Sequence, residues 1–223
     1  DYLAAYKIIH PRADSMIDFI SLCYRHDLET FIQLMNISNK ESYIRAAAIE
    51  AYLQNADISP EETQELSLLF KDDTDKNVKL RVLPYLPTSE KRQLLANKNW
   101  EIRRAAVQFI ENNKYIPQSV ISQEQNMSVL NVMFEREIKF SEQDLIRIVY
   151  EFLSDKLICT SSDRHSAKRA LGLQLQTELA AETIDKIAQQ IIDEMPESRN
   201  KKGKIENLKI WAGMLKGEKN SYE

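Results

Sequence analysis

Ile102-Arg103-Arg104-Ala105-Ala106-Val107, with Asn113 and Ile116 after it, repeats Ile44-Arg45-Ala46-Ala47-Ala48-Ile49, with Asn55 and Ile58 after it, at one constant offset and without a gap. Between the two, Val78-Lys79-Leu80-Arg81-Val82-Leu83 keeps the order apolar, basic, two variable positions, apolar, behind the acidic turn Asp72-Asp73-Thr74-Asp75. Short apolar helical segments at 28–37, 63–70 and 90–96 precede the three copies, so the unit reads helix, polar turn, helix. Such a unit cannot bury its apolar face alone and has to stack on its neighbours. The alanines at 46–48, 105 and 106 allow close helix approach, while Ile44, Ile49, Tyr52, Ile102, Val107 and Ile110 supply buried area.

Local signals punctuate the pattern. Ser59-Pro60-Glu61-Glu62 offers an N-cap hydroxyl, a proline where no donor is needed and a returning carboxylate, and so predicts a helix start. Ser38 with Glu41 and Ser141 with Asp144 are similar boxes. Pro84 is expected to end the second helix of its copy near Leu83, because its ring clashes with the preceding turn and it has no N–H. The stretch 127–138, with Val129, Val132, Met133 and Phe134 inward, reads as a fourth second helix behind a short segment at 117–123.

Past about residue 140 the repeat gives way to longer amphipathic helices. Leu145, Ile148, Val149, Phe152 and Leu153 form one stripe, and Ile184, Ile187, Ala188, Ile191 and Met195 another. Residues 196–204 read as a basic loop ahead of a last helix carrying Ile205, Leu208, Trp211 and Leu215. The expected organisation is therefore a repeat region over 1–140 and a C-terminal helical region over 141–223.

At these Ile-Arg-x-Ala-Ala motifs, and above all at Asn99-Trp100-Glu101-Ile102-Arg103-Arg104-Ala105-Ala106-Val107, the chain resembles the HEAT-like and armadillo-type helical repeats over about residues 27–138. The resemblance implies an all-α fold: a right-handed α-solenoid of short, irregular helix pairs, closed by a C-terminal helical bundle or cap. The copies follow one another at less than the roughly 40 residues of standard members, which implies short helices. More faintly, the order of helices and the basic turn over 171–217 is similar to the C-terminal tails of some bacterial replication-associated proteins.

Composition removes several function classes. The 223 residues are 29% charged and 43% hydrophobic, a balance that can bury a core. The four glycines, Gly172, Gly203, Gly213 and Gly217, form no phosphate-cradling loop, which excludes Walker-type and Rossmann-type nucleotide sites. No apolar run reaches the roughly 18 residues that a membrane span needs. The net charge of −4 divides evenly between the halves, so bulk electrostatics call for no polyanion partner. The chain opens Asp1-Tyr2-Leu3 without an initiator methionine and reads as a processed or excised piece. Two cysteines, Cys23 and Cys159, on separate amphipathic segments read as free thiols of a cytoplasmic protein.

No catalytic constellation emerges. Cys23 and His26 would make half a zinc site, but four ligands are required, and only Cys159, His10 and His165 remain. His165, in Ser161-Ser162-Asp163-Arg164-His165-Ser166, reads as part of a helix cap. Asp72, Asp73 and Asp75 fit a turn ahead of a helix N-terminus, where the dipole favours negative charge. No metal or cofactor site is read.

The candidate binding residues are the basic positions of the second helices, Arg45, Lys79 and Arg103, with Arg81 and Arg104 beside them and Trp100 at the head of the last. Residues 71–115 hold ten basic side chains against six acids, a local excess suited to phosphate or acidic peptide. The competing expectation, which the resemblance also implies and which is favoured for Arg45 and Arg103, is that these arginines bridge neighbouring repeats through turn carboxylates and carbonyls. Trp100 is either an exposed anchor or inter-repeat packing. Arg199, Lys201, Lys202 and Lys204 form the second basic candidate, for nucleic-acid contact or as a localisation signal. The expected function is a non-enzymatic protein-binding scaffold or adaptor, with another protein as partner. The alternative is a nucleic-acid-binding repeat protein of replication or repair, gripping phosphates along the row. HEAT-like DNA glycosylases show that such stacks include enzymes, but the near-neutral halves and two tryptophans argue against one here.

Overall fold

The computed structural model describes residues 42–53, 58–158, 170–175 and 178–218. These residues form helices joined by turns, short 3-10 segments and an isolated bridge between Asn126 and Ile158, as expected for an all-α chain. The first expected helix (28–37), the box at Ser38, and both cysteines and all three histidines lie outside the described residues. The chain gathers into two compact units that divide between Leu94 and Leu95, so the expected division at 140 falls within the second.

The first unit contains α1 (Ser42–Leu53), α2 (Pro60–Phe70), α3 (Lys76–Val82) and α4 (Thr88–Leu94). In α1 Arg45, Ala46, Ile49, Tyr52 and Leu53 are buried, three and four apart, and this face packs on α3 through Val78 and Val82. The helix start at Ser59 is as expected: its hydroxyl accepts the Glu62 amide at 3.1 Å and the Glu62 carboxylate accepts the Ser59 amide at 3.0 Å. Pro84 also acts as expected, since α3 stops at Val82 and the chain tightens into a 3-10 turn over Leu83–Tyr85. Lys71, at the end of α2, reaches Glu90 of α4 at 2.9 Å, and that hydrogen bond raises the lysine pKa.

The second unit contains α5 (Trp100–Phe109), α6 (Gln118–Gln123), α7 (Met127–Glu135), α8 (Glu142–Leu153), α9 (Ala181–Glu194) and α10 (Lys201–Leu215), with a further helical stretch at 170–175. Ile102, Ala105, Ala106 and Val107 of α5 are buried, and α5 packs on α7, in which every side chain from Met127 to Phe134 is buried. The recurring asparagine of the repeat has a role here: Asn113 donates to the Arg136 carbonyl at 2.8 Å, tying the turn after α5 to the end of α7. The Ser141 box at the head of α8 is complete. Both expected C-terminal stripes are buried, apart from Met195, which is half-buried at the end of α9. Helix α9 packs on α8 and on α10.

One expectation is corrected. Residues 201–204 are not loop but the first turn of α10. A Lys-Lys-Gly-Lys run reads as polar loop, yet lysine is a good helix former, and burial of Leu208, Ala212 and Leu215 further along holds the helix in spite of Gly203 and an uncapped start.

Candidate functional site

The turns that precede second helices share one construction. Asp75 caps α3 by accepting the Asn77 amide at 2.7 Å, Asn99 caps α5 by accepting the Glu101 amide at 2.8 Å, and Asn126 caps α7 by accepting the Ser128 amide at 3.0 Å. Two residues earlier a second acceptor, Asp73, Asn97 or Glu124, takes the amide of the cap residue itself at 2.8–2.9 Å. Two successive acceptors thus hold each turn rigid and satisfy donors that the helix leaves orphaned.

These turns are where two of the candidate arginines go. Arg45 of α1 donates to Asp73 at 3.0 Å, both side chains being nearly buried. Arg103 of α5 clamps Glu124 with Nε at 2.7 Å and Nη2 at 2.8 Å, and its Nη1 donates to the carbonyls of Asn97 and Lys98. The Glu124 side chain is 2% exposed. The hydrogen bonds to Glu124 outweigh desolvation and raise the Arg103 pKa. Each arginine therefore reaches from the first turn of one second helix to the turn that opens the next, which is the bridging role favoured for them. Both guanidiniums are thus held in internal ion pairs, Arg45 nearly buried and Arg103 half-buried.

The remaining candidates are distributed differently. Arg81 is exposed and pairs with Glu50 at 3.0 Å, from α3 to α1. Lys79 is half-buried on α3, Trp100 is half-buried at the head of α5, and Arg104 is exposed on α5. Arg45, Lys79 and Arg81 belong to the first unit and Trp100, Arg103 and Arg104 to the second. Sequence reasoning missed two further structural arginines. Arg136 donates from Nη1 to the Val107 and Gln108 carbonyls at 2.5 and 2.8 Å, closing the end of α5. Arg147 reaches the Ile121 and Glu124 carbonyls at the end of α6, each at 3.2 Å. Both lie far along the chain from the carbonyls they serve, and no local motif marks them.

An amphipathic cleft of about 480 Å³ lies among α8, α9 and α10 of the second unit. Leu153, Ile191 and Leu208 form its apolar wall together with Trp211, whose ring stands edge-on to Phe152 at 5.5 Å. The polar side is a connected set. The Tyr150 hydroxyl donates to Glu194 Oε2 at 2.6 Å and accepts from Lys156 Nζ at 3.3 Å, and that ammonium also sits 4.6 Å from the Tyr150 ring centre. Gln190 donates to Glu194 Oε1 at 2.7 Å. The hydrogen bonds from Tyr150 and Gln190, with the Lys156 charge, hold the Glu194 carboxyl below the usual range. Lys204, from the second basic candidate, lines the same cleft. Of its companions, Lys201 pairs with Glu197 at 2.5 Å, and Arg199 and Lys202 are exposed.

Among the described residues, no cluster of histidine, cysteine, aspartate or glutamate is arranged to hold a metal ion, and no helix is long and apolar enough to cross a membrane. Compared with known proteins, the chain matches no family model, no curated protein and no solved structure.

Proposed function

We propose that this chain is a non-enzymatic protein-binding scaffold, a right-handed α-solenoid of short HEAT-like helix pairs acting in the cytoplasm. Support for the architecture comes from second helices that pack on second helices, α1 on α3 and α5 on α7, joined by turns of one repeated construction. The observation that carries the function is the commitment of Arg45 and Arg103 to Asp73 and Glu124. Two of the basic positions that a nucleic-acid reader would need are committed to internal contacts, whereas an amphipathic cleft with an aromatic wall stays open.

Fluorescence anisotropy of labelled single-stranded DNA, duplex DNA and RNA, at low and at physiological salt, tests the proposal. The expected result is no binding at physiological salt, with affinity capture returning a protein whose purified form rebinds under the same conditions. Micromolar binding that falls steeply with salt and is lost in Arg104→Glu would instead establish nucleic-acid binding. Arg104 is the residue to change, because Arg103→Glu would set a second carboxylate against the buried Glu124 and confound binding with stability.

A further inference from the structure

The charges on the rim of the α8–α9–α10 cleft are not equivalent. Glu194 is occupied on both oxygens, by Tyr150 and Gln190. Lys156 is held against the Tyr150 hydroxyl and ring. Lys204 is exposed and, among the described residues, carries no ion pair. Asp155, just past α8, lies in the left-handed region with φ 59°, which aspartate tolerates better than most side chains, and the turn it makes delivers Lys156 to the rim. Below the rim, Trp211 and the aliphatic side chains of Leu153, Ile191 and Leu208 offer an apolar anchor surface.

We infer that this cleft receives a short acidic peptide segment of a partner protein, seating one aromatic or branched aliphatic side chain beside Trp211 and setting a carboxylate against Lys204. This rests on the protein-binding function proposed above and names the chemistry of the partner. A peptide suits the cleft better than a nucleic-acid strand. Glu194 and Asp155 share the rim with the lysines and repel a continuous row of phosphates, whereas a peptide presents its few carboxylates on one side of an apolar anchor.

The test uses the full chain as bait for random dodecapeptides displayed on phage, at physiological salt. Enriched peptides are then synthesised with a fluorescein label and titrated by anisotropy, alongside a labelled twelve-residue oligothymidine. Lys204→Glu is the diagnostic variant. Its side chain is exposed, and a carboxylate in the first turn of α10 favours the helix, so the fold is preserved. Lys139→Glu, also exposed, is the charge-matched control. The expected result is enrichment of peptides that combine Phe, Trp or Leu with neighbouring Asp or Glu, bound roughly tenfold more weakly by Lys204→Glu and unchanged by Lys139→Glu. Failure to enrich any peptide, enrichment without acidic residues, or equal effects of the two variants would overturn the inference. Peptides that bind tightly but ignore Lys204 would overturn this cleft alone and leave the scaffold function standing. Salt-sensitive oligothymidine binding that ignores Lys204 would overturn both.

Discussion

Arg103 and Glu124 meet through two parallel hydrogen bonds of 2.7 and 2.8 Å, while the same carboxylate accepts the backbone amides of Gln125 and Asn126. One buried group therefore fixes both the packing of α5 against the next turn and the internal shape of that turn. The two partners are not equally placed, since Arg103 retains 21% of its side-chain exposure and Glu124 only 2%.

That asymmetry sets the order of two mutational effects. Arg103→Ala strands a buried carboxylate and should cost roughly 3–5 kcal/mol. Glu124→Gln keeps one acceptor oxygen and leaves a guanidinium that can turn toward water, so its cost should be smaller. The double variant should lose less than the sum of the singles, because neither change leaves an uncompensated charge once both are made. Urea denaturation of the four proteins in the cycle checks this, and strict additivity would show that the pair contributes nothing specific.

Helix ends supply a second prediction. Glu137 closes α7 at φ 54° and Gly217 closes α10 at φ 80°, each followed by an amide bonded back into the helix: Ile138 to the Met133 carbonyl and Glu218 to the Gly213 carbonyl. Glycine occupies this region without a steric penalty and other residues do not. Glu137→Gly should therefore stabilise the protein and Gly217→Ala destabilise it, each by about 1 kcal/mol, or about 2–4 °C in Tm for a chain of this size. Differential scanning calorimetry distinguishes the two signs.

Asp144 makes part of the stability depend on acid. Burial pushes its carboxyl up, but hydrogen bonds from Ser141 and Ser122 and the nearby Arg147 charge more than reverse this and hold it below the usual range. A carboxyl depressed in the folded state contributes stability in full above its unfolded pKa of about 3.9, and that contribution is lost as the pH falls through the lower folded value. The stability gap between the parent and Asp144→Asn should be constant near neutrality and close below about pH 4. Urea midpoints measured from pH 7 to pH 2 read this out, and a gap that persists unchanged at the acid end would remove Asp144 from the account.

The parts of the structure that were legible in the sequence are those written within a few residues. The boxes at Ser59 and Ser141, the stop at Pro84 and the apolar stripes of α8 and α9 each depend on spacings of three or four. The bridging of Arg45 and Arg103 is legible as a type of contact, but nothing in the sequence singles out Asp73 and Glu124 as its ends. The loops between copies vary in length, so no fixed spacing points to the partner. The cleft was not legible at all: Tyr150, Glu194 and Lys204 come from three helices, and only their packing makes them neighbours. Lys204 itself reads as loop in the sequence, because composition cannot separate a solvated basic turn from a helix held by burial further along.

Lysine replacements separate two kinds of arginine here. Arg136 serves the Val107 and Gln108 carbonyls from a single nitrogen, Nη1, which a lysine ammonium with its three donors can imitate. Arg103 uses Nε and Nη2 in a planar fork matched to the two Glu124 oxygens, and adds Nη1 to two carbonyls; a point charge on a shorter stem cannot reproduce that set. Arg136→Lys should therefore cost less than about 1 kcal/mol and Arg103→Lys about 2 kcal/mol or more, although both keep the charge. Chemical denaturation at one pH and salt concentration decides between this order and its reverse. Equal costs would mean that charge alone, and not the fork, holds Arg103 to Glu124.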